Sequence, residues 1–119
     1  MTTLFEEVTR AAEDVYGTLG LGLSETTYRN AMAISLRARG IPVESERTIL
    51  VVYKGQHVGA LRADLVLHGR YVVELKVCAR ITDTHEHQCR AYVARLEGAN
   101  VAGVVVNFGP GGVETRSVE

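Results

Sequence analysis

The segment from Arg62 to Val77 constrains the fold most, because acidic and basic residues lie inside two apolar runs that a glycine separates. The pattern predicts a β-hairpin with its turn at Gly69. Asp64 falls on the first strand, and Glu74-Leu75-Lys76 falls on the second. Side chains alternate along a strand, so the acid and the lysine of this tripeptide share one face and the leucine takes the other. Two carboxylates and an amine on one sheet surface can hold a divalent metal and orient a water molecule.

The length of the turn decides whether the two acids of this hairpin can share a site. A tight two-residue turn at His68-Gly69 would point Asp64 away from Glu74. A three-residue loop that also includes Leu67, or a bulge, would place both acids on the same face. A shared site therefore requires the loop or the bulge. The alternative is an ordinary exposed hairpin whose charged residues form a solvated pair that adds little stability.

Length and composition predict a single globular domain over residues 1–119, with 46% hydrophobic residues and a formal net charge of −1. No apolar run approaches the ~20 residues that span a bilayer. The N-terminus is acidic and polar and does not read as a signal peptide, so we expect a cytoplasmic protein that makes no membrane contact. With so little net charge, any contact with nucleic acid must come from a local basic patch. Cys78 and Cys89 lack the spacing of a metal site.

The chain outside the hairpin shows clear helix and strand patterns. A helix is predicted over residues 3–19, with Thr3 and Glu6 as a capping box, and a second from Ser24 to about Arg39. Strands are predicted over residues 43–53, 58–67 and 70–78. A third helix is predicted to begin at Thr82 or Asp83, with Glu86 as capping partner of Asp83 and Cys89, Tyr92, Val93 and Leu96 as its apolar stripe, and to end at Gly98. Two further strands are predicted over residues 101–107 and 113–118.

These elements predict an α/β (α+β) fold with helices flanking a mixed sheet, in the order ααβββαββ. The run 101–107 is almost continuously apolar, which is typical of a strand buried on both faces. It follows a crossover helix, so we expect it inside the sheet and parallel to the strand 70–78. The run 113–118 is short and alternating, which predicts an edge strand.

Several motifs in one order resemble a known family over nearly the whole chain. The chain resembles the GxxExxY proteins, a bacterial family assigned to the PD-(D/E)xK nuclease superfamily, whose fold is restriction-endonuclease-like. The residues that carry the resemblance are Gly22, Glu25 and Tyr28, then Asp64 with Glu74-Leu75-Lys76, then His85-Glu86-His87-Gln88 with Tyr92, and finally Asn107-Phe108-Gly109. Tyr16 stands where many relatives have histidine, Asp83 where proline is common, and Ala63 where the superfamily motif has proline.

The resemblance implies a metal-dependent nuclease that acts on nucleic acid, with DNA expected, and that uses Mg²⁺ or Mn²⁺. It implies carboxylate ligands from Asp64 and Glu74 and a carbonyl ligand from Leu75. Lys76 would orient the attacking water and stabilise negative charge on the phosphate. Glu25 would reach in from its helix toward a second metal or a metal-bound water. Taken alone, Glu25 could equally be an acid that complements a helix dipole.

Gln88 and Tyr92 are four residues apart and share a helix face, and the resemblance implies that both line the site. The structural alternatives are a surface polar residue for Gln88 and core packing for Tyr92. His85 and His87 are two residues apart and do not share a face, which argues against a histidine zinc site. Some arginines are candidates for contacts with the nucleic-acid backbone: Arg29, Arg37, Arg62, Arg80, Arg90 and Arg95.

Three classes of function remain open from the sequence: an enzyme, a non-catalytic binding module, and a dimerising structural domain in which the acidic cluster is fortuitous. The intact acids and lysine favour an enzyme, since a decayed site would have lost one of them. The near-neutral charge and the small size favour a non-catalytic module that keeps the nuclease fold to bind nucleic acid or a protein. They also favour a homodimer, because a chain of 119 residues offers little surface for gripping a duplex.

Overall fold

The chain folds into three α-helices and five β-strands in the predicted order ααβββαββ. The structure is a computed structural model that describes residues 1–119. Its elements are α1 (Leu4–Leu19), α2 (Glu25–Ala38), β1 (Val43–Tyr53), β2 (Gln56–Leu67), β3 (Tyr71–Lys76), α3 (Asp83–Val93), β4 (Ala102–Gly109) and β5 (Gly112–Val118). None of the helices is both long enough and apolar enough to cross a membrane.

The five strands form one mixed sheet in the order β1-β2-β3-β4-β5. Neighbouring strands are antiparallel except β3 and β4, which run parallel because α3 connects them as a crossover. The predicted place of β4 inside the sheet is confirmed, and its residues from Gly103 to Gly109 are buried. The prediction that β5 is an edge strand is also confirmed.

The sheet separates two hydrophobic cores. The larger core lies under α1 and α2, where Tyr28, Met32 and Leu36 are fully buried against Leu75 and the other apolar residues of the sheet's inner face. The smaller core lies under α3 and contains Cys89, Val93 and sheet residues such as Val72 and Val105. Burying one such side chain contributes about 1.5–3 kcal/mol, so both faces of β3 and β4 are strongly fixed.

Each of the three helices begins directly after a residue that caps its N-terminus. The capping box of Thr3 and Glu6 is confirmed, and Ser24 caps α2 by accepting the N–H of Thr27 at 3.2 Å. Thr82 caps α3, and its capping partner is His85 rather than the predicted Glu86. At the N-cap Thr82, residue 85 is in the N3 position, so the histidine Nδ1 reaches the Thr82 N–H.

The predicted end of α3 at Gly98 is wrong, since the helix ends at Val93. The N–H groups of Arg95 and Leu96 bond to carbonyls three residues back, at Tyr92 and Val93. Such bonds tighten the backbone into a turn and stop the α-helical pattern. Leu96 still packs against the smaller core from outside the helix, which is why it fitted the apolar stripe.

The turn between β2 and β3 contains a bulge. His68 and Gly69 both have positive φ, 52° and 69°, and the Arg70 N–H donates to the Leu67 carbonyl at 3.0 Å. Leu67 pairs with Tyr71, so Arg70 is the extra residue. The predicted three-residue loop that includes Leu67 is therefore wrong in position, but the alternative of a bulge is confirmed. The bulge shifts the register by one residue, which a shared acidic site required.

Residues 50–60 form a two-stranded arm, which we call the β1–β2 arm. This part of β2 pairs with β1 only, because the pairing of β2 with β3 is confined to residues 65–67 of β2. The arm contributes to an elongated outline of 46 × 31 × 21 Å. Four of its apolar side chains are more than half exposed: Leu50, Val52, Tyr53 and Val58.

Candidate active site

The candidate site begins where β2 and β3 stop pairing. Their last pair toward the site is Leu65 with Val73, and Asp64 and Glu74 follow directly. Glu74 Oε1 accepts the Asp64 N–H at 3.1 Å, and Asp64 Oδ2 accepts the Leu75 N–H at 2.8 Å. Each carboxylate therefore takes the place of a backbone carbonyl that the diverging strands no longer supply. The structure brings the two acids together, as the sequence predicted for a shared site.

Burial and mutual proximity disfavour negative charge on this acid pair. Glu74 is 4% exposed, and burial, then the nearby Asp64 carboxylate, raise the pKa of Glu74 to about 8. Burial also raises the pKa of Asp64, although its hydrogen bond from Leu75 and the charges of Arg29 and Lys76 oppose the shift. Two neighbouring carboxylates in a weakly polar place do not both ionise easily unless a cation joins them. The pair is therefore suited to a bound cation.

The donor set fits a hard divalent cation. Mg²⁺ is commonly held by one or two carboxylates and keeps several waters, which matches the Asp64 and Glu74 oxygens. No three side chains of the Asp, Glu, His or Cys type lie close enough to hold one metal ion, so the chain offers no closed cage of the structural-zinc kind. Water and substrate oxygens would complete the coordination. The Leu75 carbonyl as a ligand stays a prediction.

Lys76 lies at the end of β3 and is half-buried beside the acid pair. Its charge opposes the rise in the pKa of both Asp64 and Glu74. Its Nζ donates to Gln88 Oε1 of α3 at 3.2 Å. The amide thus holds the amine beside the pair, and the structure places Gln88 in contact with Lys76, while its role at a site stays a prediction.

Tyr92 lies one helical turn after Gln88 on α3 and is half-buried. Burial, followed by the charges of Glu74 and Asp64, raises the pKa of Tyr92 to about 12. Its hydroxyl therefore stays protonated near neutral pH and can donate a hydrogen bond toward an anion. Of the two α3 residues predicted for the site, Gln88 contacts Lys76, and Tyr92 lies close enough to Glu74 and Asp64 for their charges to affect its pKa.

Glu25 does not form a cluster with the two acids Asp64 and Glu74. It is the first residue of α2 and is exposed, and its charge contributes only the last of the effects that raise the pKa of Glu74. It belongs to no three-residue group that could hold a metal ion. Its role as a metal ligand stays a prediction.

Sequence reasoning missed an ion pair beside Asp64. Arg29 Nη2 lies 3.0 Å from Glu46 Oε1, with the arginine side chain 16% exposed. Arg29 follows Glu25 by four residues, so the shared helix face was a signal that could have joined it to the site. Glu46 carried no such signal, because an acid on an edge strand resembles any solvated residue.

The family assignment rests on the sequence as well as on this geometry. The family model of the PD-(D/E)XK nuclease superfamily matches residues 2–118. The chain belongs to this superfamily. Its fold is similar to the crystal structure of SSO0001, with a TM-score of 0.63 and 19% identity over 79% of this chain and 48% of that one. The chain thus spans about half the length of that protein, and the similarity shows the shared fold. No curated protein matches the sequence.

A buried asparagine fixes the position of the chain just after the acidic strand β3. Asn107 of β4 is 1% exposed. Its Oδ1 accepts the Cys78 N–H and its Nδ2 donates to the Cys78 carbonyl, both at 2.9 Å. The amide thereby holds the chain two residues after Lys76. A Cβ at Gly109 would lie 2.9 Å from Asn107 Nδ2, so glycine keeps room for this clamp.

The tyrosines near the helices support the superfamily fold and do not touch the acid pair. Tyr28 stacks on Phe108 with ring centroids 4.3 Å apart and planes 5° apart, and its hydroxyl donates to the Gly20 carbonyl. Tyr16 donates to the Gly109 carbonyl at 3.1 Å. These contacts fix α1, α2 and the loop between them against β4. The glutamate of the same motif, Glu25, is left free at the surface.

Proposed function

We propose that this protein is a metal-dependent nuclease that hydrolyses phosphodiester bonds of nucleic acid, with DNA as the substrate and Mg²⁺ or Mn²⁺ as the cofactor. The observation that carries the proposal is the acid pair, in which Asp64 and Glu74 each accept a backbone N–H from the other's strand, with Lys76 beside it. Membership of the superfamily supports the same chemistry. Within the superfamily, we assign the chain to the GxxExxY proteins on the motif Gly22, Glu25 and Tyr28.

Each side chain has a role that follows from its position. Asp64 and Glu74 would hold the cation, which when bound neutralises phosphate charge and makes water more acidic. The Lys76 ammonium would orient the attacking water and stabilise charge that develops on the phosphate. Gln88 keeps Lys76 in place through the 3.2 Å hydrogen bond. The protonated Tyr92 hydroxyl would donate to a phosphate oxygen, and Glu25 would approach as a further acid.

The second candidate is a non-catalytic module that keeps the fold and binds nucleic acid or a protein. The observation in its favour is that Glu25 stands apart from the acid pair, so the site has only two clustered acids. The formal net charge of −1 also provides no general attraction for a polyanion.

For its assembly and location we propose a homodimer in the cytoplasm. A second copy would enlarge the surface that contacts a duplex, and the exposed apolar side chains of the β1–β2 arm suit contact with that copy. Both cysteines are free thiols, which suits a reducing compartment.

Metal binding and cleavage test the proposal directly. Wild type should bind Mn²⁺ in calorimetry and cut at least one of single-stranded DNA, double-stranded DNA and RNA. Asp64→Ala should weaken Mn²⁺ binding and abolish cutting, because it removes a carboxylate oxygen from the cation. Glu13→Ala, which removes an exposed acid of α1, is the matched control and should change neither. Wild type that binds Mn²⁺ but cuts nothing would favour the binding module, and unchanged Mn²⁺ affinity in Asp64→Ala would refute the site.

A further inference from the structure

The Arg29–Glu46 ion pair lies on the side of the acid pair opposite to α3. Glu46 lies on β1 between Ser45 and Arg47, which pair with Leu65 and Ala63 of β2. This register puts Glu46 directly across from Asp64. Arg29 reaches the same place from α2, and its charge acts on the Asp64 carboxyl. Arg29 of α2 is therefore bonded to Glu46 and lies close enough to Asp64 for its charge to affect that carboxyl.

We propose that Arg29 binds a phosphate of the nucleic-acid backbone next to the site, and that Glu46 holds the guanidinium there until the phosphate replaces it. This inference rests on the proposed nuclease function, because it names a residue that would position the same substrate.

The exposures of the two partners support an exchange of this kind. The Arg29 side chain is only 16% exposed, whereas the Glu46 side chain is 44% exposed. The arginine is thus held by its surroundings, and the glutamate can turn to water at little cost. The contact joins one nitrogen, Nη2, to Oε1 at 3.0 Å. A guanidinium has five N–H donors, so donors remain for the two oxygens of a phosphate.

The backbone conformation of Glu46 is also unusual for a residue within a β-strand. Glu46 has φ 55°, a left-handed conformation that is uncommon for a residue other than glycine. The flanking residues of β1 keep their pairing with β2, so the departure is confined to this position. Local strain of this kind concentrates at functional sites, where it aims a side chain.

Arg29 and Lys76 are the two cations whose charges act on the Asp64 carboxyl, and of these Arg29 is the better suited to bind a phosphate. The acids around the site are Glu25, Glu46, Asp64 and Glu74, and an incoming polyanion meets all of them. Lys76 is engaged with Gln88 on the α3 side. Arginine binds phosphate through a planar pair of donors, which suits the backbone of nucleic acid better than a single ammonium does.

The test measures binding of fluorescent single- and double-stranded DNA oligonucleotides by anisotropy in Ca²⁺ buffer, over a series of salt concentrations. Arg29→Ala should weaken binding about tenfold and lower the salt slope by about one. Arg29→Lys should recover part of the loss. Glu46→Gln should bind tighter than wild type, because it frees Arg29 and removes a negative charge. Arg39→Ala is the matched control, since Arg39 is also an ion-paired arginine of the α2 segment, with its Nη2 2.7 Å from Asp14 Oδ2, and its loss should leave binding unchanged.

The outcomes separate this inference from a structural role and from the nuclease proposal. A purely structural ion pair would make Glu46→Gln and Arg29→Ala weaken binding together, which would overturn the inference, and Glu46→Gln decides the matter even if Arg29→Ala fails to fold. Wild-type binding by Arg29→Ala would overturn it as well. Cleavage in Mg²⁺ is measured in parallel: DNA binding that depends on Arg29 without cleavage would overturn the nuclease proposal alone. Absence of any DNA binding by wild type would overturn this inference, while the nuclease proposal would then stand or fall on the cleavage of RNA.

Discussion

Glu74 is the residue at which stability and the proposed chemistry oppose each other most clearly. Its carboxylate is buried beside Asp64 and accepts the Asp64 N–H, so its geometry is well defined while its negative charge is disfavoured. A cation would remove the conflict by joining the two carboxylates. Active sites commonly hold groups with shifted pKa values for this reason.

The first prediction concerns pH and Glu74 in metal-free buffer. Since the folded protein raises the pKa of Glu74 from its ordinary 4.5 to about 8, the folded state retains a proton that the unfolded chain releases. The associated stability is fully present below pH 4.5 and is lost as the pH rises through 8. Thermal unfolding should therefore show wild type losing stability relative to Glu74→Gln between pH 5 and 8.5. Equal pH dependence of the two proteins would contradict the shift, and Glu13→Gln serves as the control acid.

The second prediction separates metal binding from catalysis at Lys76. If its ammonium acts mainly in the transition state, Lys76→Ala should lower the cleavage rate about 10²–10³-fold. Mn²⁺ affinity should stay equal or rise slightly, because a neighbouring positive charge is gone. Calorimetry beside a cleavage assay checks both quantities. A large loss of Mn²⁺ affinity would instead make Lys76 part of the metal site's architecture.

The third prediction uses the same two assays on Glu25. Glu25→Gln keeps the shape of the side chain and removes its charge. If Glu25 assists a metal or its water, Mn²⁺ affinity and rate should fall less than in Asp64→Ala but measurably below wild type. An Mn²⁺ affinity and a cleavage rate equal to those of wild type would mean that Glu25 only complements the dipole at the N-terminus of α2.

At the scale of elements, α3 approaches the sheet closely because β4 has a glycine beneath it. A Cβ at Gly103 would lie 2.9 Å from the Val72 carbonyl oxygen, 3.0 Å from Cys89 Sγ and 3.1 Å from Val93 Cγ2. Gln88 and Tyr92 are on the same helix, so a shift of α3 away from β4 would also move these two residues.

The fourth prediction is that Gly103→Ala destabilises the protein by about 1–3 kcal/mol, because a backbone atom is among the groups that would have to move. It should also lower activity at temperatures where the protein is fully folded, since α3 must shift outward. Chemical unfolding and a cleavage assay measure the two effects. Gly59→Ala is the control, because its Cβ would meet nothing within 4 Å and its φ is not positive. Similar losses for both variants would mean that the effect comes from strand propensity rather than from α3.

At the scale of the whole molecule, the sheet is the platform on which distant segments meet. β2 and β3 supply the acids and Lys76, α3 supplies Gln88 and Tyr92, and α2 and β1 supply the arginine–glutamate pair. The β1–β2 arm extends from the same sheet and pairs with no third strand. An exposed two-stranded ribbon is only marginally stable by itself in water, so contact with another chain would stabilise it.

The fifth prediction tests the proposed homodimer through the arm. Val52 is 54% exposed, and Val52→Glu should shift the mass in sedimentation from dimer to monomer without unfolding the domain. Ile34 on α2 is 70% exposed, so Ile34→Glu matches the change in charge at a site outside the arm and should leave the mass unchanged. A monomeric wild type would contradict the dimer, and a dimer insensitive to Val52→Glu would place the interface elsewhere.

Much of the fold was readable from the sequence because its signals are local. Helical spacing, capping residues such as Thr3 and Ser24, and the apolar run of β4 depend on neighbours within a few positions, and the predicted order of elements was correct. The predicted end of α3 was wrong because Gly98 is a strong local stop signal. The helix ends earlier, at Val93, in a turn that contains no glycine.

The acid pair was predictable because strand alternation and one bulge determine which residues face each other, and both are properties of a single hairpin. The ion pair of Arg29 and Glu46 was not predicted from the sequence. The two residues are 17 positions apart, on α2 and on the edge strand β1, and they come into contact only when α2 packs on the sheet. Local sequence signals were therefore enough to predict the order of the elements and the two acids that share a face of the hairpin. Which charges surround these acids follows from the tertiary packing alone, because Arg29 and Glu46 approach them from separate elements, α2 and β1.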